Sequence, residues 1–221
     1  MPSFEMTRRM ETDDQRETVL RQRGSMTFNE FLAAYDFEGS VVLLEGKRNV
    51  AEEDKPLLEA LGEKLARNTK FMTFRSGNAP GADFFFSKGI ATVDPDRLEV
   101  IKPYATHRTA AALSSHQFSF SDISDEDEEM LLDCTRMNKK NAGLMDCYKK
   151  NKSRTLAAKS RYILRDTLKV TGAGETIKKA SFAIFYDDLD NPESGGTGHT
   201  MIVCRKCDVP FCDQRVWRQW L

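Results

Sequence analysis

The sequence lacks any long apolar run. No stretch approaches the ~20 consecutive apolar residues that a membrane-spanning helix needs. The charged segment at 1–25 also has no apolar core of the kind found in secretory signals. The five cysteines are few and odd in number, which is typical of a reducing compartment and not of a disulfide framework. These absences predict a cytoplasmic protein without a membrane partner.

The sequence also lacks an excess of charge of either sign. It has 33 basic and 34 acidic residues, which gives a formal net charge of −1. Proteins that coat DNA or membranes need a basic surface, so this balance disfavours both functions. A local basic site is still compatible with it.

Short apolar runs alternate with helical patterns along the chain. The run SVVLLEG at 40–46 is rich in valine and leucine and ends in glycine, as buried strands of parallel sheets do. Residues 51–68 then place leucines on one face, acids in the first turn and bases in the last, which is typical of an amphipathic helix. The predicted strands are 40–46, 70–74, 97–104, 180–186 and 209–214.

This alternation predicts an α/β fold, a Rossmann-like three-layer sandwich with a mainly parallel sheet of about five strands. Residues 1–38 are expected to form a charged arm and a short helix, and residues 39–221 the Rossmann-like domain. The alternation lapses from 105 to 160, where we expect a helical insertion without strands. The next helix is predicted to begin at residue 161.

Three loops that follow predicted strands carry small or basic residues. They are GKRN at 46–49, SGNAPGAD at 76–83 and SGGTGHT at 194–200. Ligands of open parallel sheets bind beyond the carboxyl ends of the strands. Helix N-termini there offer unpaired N–H groups, and glycine lets a phosphate approach them. Lys47, Arg48 and Arg75 could add positive charge, so the loops predict a phosphate or nucleotide site.

The loops lack two known nucleotide fingerprints. Neither glycine-rich loop has the Gly-Lys-Ser/Thr of a P-loop, and no Gly-x-Gly-x-x-Gly follows the first strand. Structural roles are also open: Gly77 and Gly81 suit turns, and Asp83 suits a helix start. Lys47 and Arg48 could be a pair of basic side chains in solvent without a ligand. Two glycine-rich strand-to-helix loops in one sheet favour the ligand site.

Catalytic residues are not apparent in the sequence. The candidates are His199 and Asp83, because an imidazole titrates near neutral pH and a carboxylate can act as a base. No serine, cysteine or carboxylate partner can be assigned to His199, so a local hydrogen bond is the simpler interpretation.

A metal site is not predicted either. Cys204, Cys207 and Cys212 resemble half of a zinc site, but no second Cys-x-x-Cys exists and core cysteines are favoured. The acids at 187–190 could bind a metal or ribose hydroxyls, yet beside Asn-Pro they suit a turn.

Several segments, taken in order, carry a family resemblance. They are VVLLEGKRNV, LLEALGEKLARN, FMTFRSGNAPGADFFFSKGI, FAIFY and SGGTGHTMIVCRKCDVPFCDQ. They resemble the SLOG superfamily, the Rossmann-like group that includes DNA-processing protein A and the LOG cytokinin-activating, lysine-decarboxylase-like proteins. The resemblance covers residues 40–104 and 160–214, and small bacterial and phage members are the most alike.

The resemblance implies a nucleotide-type or nucleic-acid-type ligand over the carboxyl edge of the sheet. It also implies that Arg161 or Arg165 reaches the ligand. LOG enzymes use a glutamate shortly after their glycine-rich loop to cleave a glycosidic bond, whereas no acid follows here until Asp208, so this activity is not favoured. With Arg75 and Arg161, the implied site consists of Gly46, Lys47, Arg48, Ser76, Gly77, Asn78, Pro80, Gly81, Ala82, Asp83, Gly195, Gly196, Thr197, Gly198, His199 and Thr200.

We therefore expect the protein to bind a nucleotide or a nucleotide-derived phosphate ligand, in sensing or signalling. No other cofactor is assigned. The alternatives are a nucleoside-phosphate hydrolase or transferase, and single-stranded DNA binding on a basic edge. A homo-oligomer is compatible with the sequence. The sequence does not specify which base the nucleotide carries.

Overall fold

The structure of the protein, a computed structural model, describes residues 26–107, 113–150 and 154–221, and only the backbone of 154–157. The predicted arm at 1–25 lies outside these residues. The described part is an α/β sandwich with helices on both faces of one sheet. This confirms the fold class that the sequence predicts.

In the part of the chain that the structure describes, the sheet has six strands, all parallel, in the order β4-β3-β2-β1-β5-β6. The strands are β1 (Val41–Gly46), β2 (Thr73–Ser76), β3 (Leu98–Ile101), β4 (His116–Phe118), β5 (Phe182–Tyr186) and β6 (Phe211–Cys212). Residues 42 and 44 of β1 pack on one face of the sheet and residue 43 on the other, as the two-residue period of a strand requires.

The chain changes direction across the sheet beside β1. From β1 it moves through β2 and β3 to β4, and it then returns to the other side of β1 for β5 and β6. Gly46 pairs with Tyr186 where β1 and β5 end. A crevice at such a change of direction is where open α/β sheets bind ligands.

The described residues form eight α-helices in two layers. They are α1 (Phe28–Tyr35), α2 (Lys55–Asn68), α3 (Ala82–Ala91), α4 (Asp125–Arg136), α5 (Lys139–Lys149), α6 (Arg154–Thr171), α7 (Gly195–Lys206) and α8 (Gln214–Trp217). Side chains of α1, α2, α3 and α8 pack on one face, and those of α4, α5, α6 and α7 on the other. The described part of the chain contains no helix with the length and hydrophobicity that a membrane span requires.

The segment predicted as a helical insertion also contains a strand. Residues 116–118, His-Gln-Phe, form the edge strand β4 and pair with β3 through the backbone. The prediction missed β4 because it has three residues, two of them exposed and polar. The long helix α6 begins at residue 154, not 161, so it runs from the insertion into the sheet domain.

Candidate functional site

A cavity of about 350 Å³ lies where β1 and β5 end. Its size falls within the range of small-molecule sites. Four parts of the chain form its wall: the end of β1 with the loop after it, the loop from β2 to the start of α3, one face of α6, and the segment from β5 to the start of α7. The lining residues are Glu45, Gly46, Lys47, Arg48, Ala79, Asp83, Tyr162, Ile163, Arg165, Asp166, Asp187, Asp188, Ser194, Gly195, Gly196 and Thr197.

The start of α7 forms one side of the cavity. Ser194 is the N-cap residue, but its side chain makes no capping hydrogen bond. Gly195, Gly196 and Thr197 follow it in the cavity wall. The first N–H groups of a helix have no partner within the helix and carry a partial positive charge. This end of α7 therefore presents backbone donors to the cavity.

Two glycines of this loop, Gly196 and Gly198, lie close to other groups. A Cβ atom at Gly198 would lie 1.7 Å from the carbonyl oxygen of Glu193. At Gly196 it would lie 3.2 Å from Asp166 Oδ2 on α6. Glycine thus allows the loop to fold back on itself and α7 to start directly against α6.

The second glycine-rich loop, at 76–83, uses its polar groups internally. The N–H of Gly46 donates to Asp83 Oδ1 at 3.0 Å, and the N–H of Gly77 donates to Asp83 Oδ2 at 3.2 Å. The Ser76 hydroxyl accepts from the N–H of Asn78 at 3.0 Å. The Asp83 carboxylate thus takes the place next to the Gly77 N–H that the sequence assigns to a phosphate. Asp83 joins the ends of β1 and β2.

The structure divides the predicted site residues into two groups. Seven of them line the cavity: Gly46, Lys47, Arg48, Asp83, Gly195, Gly196 and Thr197. The others lie outside its lining: Arg75, Ser76, Gly77, Asn78, Pro80, Gly81, Ala82, Arg161, Gly198, His199 and Thr200. Arg161 is exposed and stands one residue before Tyr162, the first α6 residue of the cavity wall. Of the two arginines that the resemblance implies, it is Arg165 that lines the cavity.

Arg75 has a structural role in the sheet. Its side chain is fully buried, its Nε is ion-paired with Glu99, and its Nη1 donates to the carbonyl oxygen of Lys169 at 2.9 Å. Burial lowers the pKa of Arg75, against the opposing effect of Glu99. This guanidinium joins β2, β3 and α6 and is not available to a ligand in the cavity.

A buried ionic network forms the floor of the cavity. On α6, Arg165 Nη2 lies 2.9 Å from Asp166 Oδ1, and Lys169 Nζ lies 3.0 Å from the same oxygen. Lys169 Nζ also lies 2.7 Å from Glu45 Oε2 at the end of β1. Burial alone would raise the pKa of Asp166, but Lys169 and Arg165 outweigh it and lower the pKa. Asp166 is therefore ionised at neutral pH.

Glu45 differs from Asp166, the other acid of the floor, in the direction of its pKa shift. Burial raises the pKa of its carboxyl group to about 8, with Lys169 opposing the shift and Asp166 and Asp83 adding to it. The hydroxyl of Thr200 on α7 donates to Glu45 Oε1 at 2.8 Å. Glu45 therefore holds its proton near neutral pH while it joins β1 to α6 and α7.

His199 is buried behind the cavity and not on its wall. Its Nε2 lies 3.1 Å from the hydroxyl of Thr167 on α6. Its Nδ1 lies 3.3 Å from Asn138 Nδ2 and 3.0 Å from Asn141 Nδ2. Burial lowers the pKa of His199, so the imidazole is neutral at pH 7. These contacts tie α7 to α6 and to the start of α5.

Of the residues that form the floor, Arg165 is one of the two arginines that the resemblance implies, whereas Glu45, Asp166 and Lys169 are not predicted from the sequence. Glu45 is the one acid in the apolar run VVLLEG, which is a usable signal for a functional or paired carboxylate. Asp166 and Lys169 stand three residues apart on α6, so they share a helix face. Their pairing with Glu45, far away along the chain, becomes visible only in the fold.

The three cysteines that resemble half of a zinc site lie in or next to the protein interior. Cys204 and Cys212 are buried, and Cys207 is half-buried. Burial raises the pKa of the Cys204 and Cys212 thiols. Within residues 26–107, 113–150 and 154–221, no three His, Cys, Asp or Glu side chains are grouped as a metal site would require.

Comparison with known proteins gives one match, and it is to a solved structure. No protein-family model matches the sequence, and no curated protein matches it. The solved structure is DNA processing protein A from Helicobacter pylori, from work on the single-stranded DNA binding mode of that protein. The two chains share 14% sequence identity with a TM-score of 0.44, over 79% of this chain and 64% of the other. This chain thus spans less than two thirds of that protein's length, and a likeness of this size says nothing about function.

Proposed function

We propose that the protein binds a nucleoside monophosphate in the cavity where β1 and β5 end. The observation that carries this proposal is the uncapped start of α7, which opens into a cavity at the point where the sheet changes direction. Helix starts at such points are favourable sites for phosphate groups.

Cations beside the α7 start support a phosphate at this position. Lys47 and Arg48 follow β1 and line the cavity. Lys47 Nζ lies 3.4 Å from Asp188 Oδ1, a partly exposed contact that is worth little and is easily exchanged for a ligand. Arg48 is exposed and makes no side-chain hydrogen bond or ion pair to any other residue that the structure describes. Both can turn to an anion at the α7 start.

The charge balance of the wall favours one phosphate over two or three. The wall carries three cations and five carboxyl groups. Asp166 is ion-paired with both Arg165 and Lys169, and Glu45 is protonated near neutral pH. The remaining acids would repel a diphosphate or triphosphate chain, whose charge exceeds what Lys47 and Arg48 can compensate.

A pair of variants at Gly195 tests the phosphate position. Gly195 has a φ of +62°, which Asn and Asp adopt more readily than other L residues, and a Cβ there would meet nothing within 4 Å. Gly195→Asp and Gly195→Asn should therefore both fold, which circular dichroism checks. Only Gly195→Asp adds a carboxylate at the α7 start. Titration calorimetry with a panel of nucleoside 5′-monophosphates should give affinities at least about tenfold weaker for Gly195→Asp than for Gly195→Asn.

The outcomes of this experiment are distinct. Equal affinities for the two variants would falsify the assigned phosphate position. Absence of binding to the unsubstituted protein across the panel would reject the function. A single-stranded oligonucleotide that is retained more strongly than any monophosphate, with a steep salt dependence, would make nucleic acid the ligand.

Cleavage of the bound nucleotide is a second candidate function, and Glu45 is the observation that favours it. A carboxyl group that keeps its proton near neutral pH at a cavity wall is suited to act as a general acid. Of the two acid-base candidates from the sequence, His199 is less suited because it lies behind the wall. Release of free base from a monophosphate, lost in Glu45→Gln, would support cleavage. If the monophosphate binds and no free base is released, binding is the only function that the result supports.

A further inference from the structure

Three aromatic rings stand together at the side of the cavity. Tyr104 and His107 follow β3 at the carboxyl edge of the sheet, and Tyr162 lies on α6. The ring centroids of Tyr104 and His107 are 5.1 Å apart, and those of His107 and Tyr162 are 5.7 Å apart, both edge to face. Tyr162 is itself part of the cavity wall. We call these three residues the aromatic cluster.

The aromatic cluster does not belong to the packed interior. Neither tyrosine is among the apolar side chains that form the three cores of the described residues. All three rings are half-buried. Burial and a hydrogen bond with Tyr104 raise the pKa of Tyr162, so its phenol stays neutral. The rings are thus held in place by each other, with part of their surface available.

Positive groups surround the aromatic cluster. The guanidinium carbon of Arg165 lies 5.5 Å from the centroid of the Tyr162 ring. Burial lowers the pKa of His107, and the charges of Arg165, Lys102 and Arg48 lower it further. The imidazole is therefore a neutral aromatic ring at pH 7. Neutral rings next to cations provide the surface on which nucleic-acid bases stack, with phosphate close by.

We propose that the aromatic cluster is the nucleobase subsite, in which Tyr162 stacks on the base of a nucleotide whose phosphate lies at the start of α7. This inference rests on the proposed function and specifies its ligand, because it requires an aromatic base and not only a sugar phosphate. Tyr104 holds Tyr162 in place through the hydrogen bond between them, and His107 does so through its edge-to-face contact. Base stacking on an aromatic side chain is sequence-tolerant, so several bases should be accepted.

Comparison of two ligands separates the base subsite from the phosphate site. Adenosine 5′-monophosphate and ribose 5-phosphate share the phosphate and the sugar, and only the first has a base. Titration calorimetry on the full chain should show the nucleotide binding about fivefold or more tighter than ribose 5-phosphate. Tyr162→Leu should abolish this difference and leave ribose 5-phosphate affinity unchanged. Tyr162→Phe, which keeps the ring, should preserve the difference.

Each other outcome has a definite meaning. Equal affinities of the two ligands for the unsubstituted protein, or equal losses of both in Tyr162→Leu, would overturn the base subsite and leave the phosphate site standing. Absence of binding by both ligands would instead reject the proposed function. If thermal unfolding shows that Tyr162→Leu is not folded, His107→Leu replaces it, with the same selective loss of nucleotide affinity expected.

Discussion

At the scale of single residues, Glu45 connects the fold to the cavity. Its carboxyl group lies between Lys169 on α6 and the Thr200 hydroxyl on α7, at the end of an otherwise apolar strand. Such a group is costly to ionise in the interior, which is why it keeps its proton to higher pH than an exposed glutamate.

Glu45→Gln should change how stability depends on pH. The folded protein keeps the Glu45 proton up to about pH 8, whereas the unfolded chain releases it near the ordinary value of 4.5. The contribution of the Glu45 proton to the free energy of unfolding is therefore fully present below pH 4.5 and is lost as the pH rises through 8. Urea unfolding at several pH values should show the free energy of unfolding falling more between pH 5 and 8 in the unsubstituted protein than in Glu45→Gln. One pKa unit corresponds to about 1.4 kcal/mol, and we expect the difference to exceed this. If the free energy of unfolding changed with pH in the same way in both proteins, Glu45 would be ionised when buried.

At the scale of elements, the start of α7 depends on its glycines. The loop before it turns so tightly that residue 198 lies directly against the Glu193 carbonyl oxygen. Substitutions here test whether the geometry of the helix start is needed for stability, apart from any ligand.

Gly198→Ala should destabilise the protein by about 3 kcal/mol or more, because the added methyl group meets backbone and not a flexible side chain. Gly143→Ala on α5 is the matched control, since a Cβ there meets nothing within 4 Å. It should stabilise the protein by about 0.5–1 kcal/mol, the gain of alanine over glycine within a helix. Thermal unfolding of both variants checks the pair. A Gly198→Ala protein as stable as the parent would show that the loop does not turn as described.

The elements that the sequence predicts are those with strong apolar patterns. The apolar runs at 40–46 and 180–186 contain β1 and β5, and the leucine face at 51–68 contains α2. The helix α2 begins at Lys55 because residues 52–54 form a turn before Pro56. The strand β4 gives no such pattern, because backbone pairing with β3 and not side-chain burial defines it.

The candidate site was predictable only in outline. A parallel sheet brings the loops at 46–49 and 194–200 to one edge, and this follows from the order of the elements. The use of the Gly46 and Gly77 N–H groups by Asp83 does not follow, because it depends on side-chain distances across two strands. Nor does the aromatic cluster, whose members come from the loop after β3 and from α6.

At the scale of the whole molecule, two tryptophans tie separate parts of the chain together. Trp217 Nε1 donates to the carbonyl oxygen of Phe185 on β5 at 2.9 Å. Trp220 Nε1 donates to the carbonyl oxygen of Met26 at 2.8 Å, and its ring stacks on Phe31 of α1. The helix α1 is thereby packed against the sheet domain.

Trp220→Ala should destabilise the fold by about 3–5 kcal/mol, because it removes a large buried ring from the contact with α1. Trp220→Phe retains a ring but leaves the Met26 carbonyl without its donor, so we expect a smaller loss of about 1–3 kcal/mol. Denaturant unfolding measures both. If Trp220→Ala were as stable as Trp220→Phe, the stacking on α1 would contribute little.

The pairing of β1 with β5 has a consequence for how the chain folds. Val41 and Ser181, which share a hydrogen bond at the start of this pairing, are 140 residues apart in sequence. Closing so long a loop costs conformational entropy, so we expect this pairing to form late in folding. Because the cavity lies at the end of the same two strands, neither half of the chain can form it alone. A ligand that binds there selects only fully folded molecules, and by mass action it opposes separation of the two halves.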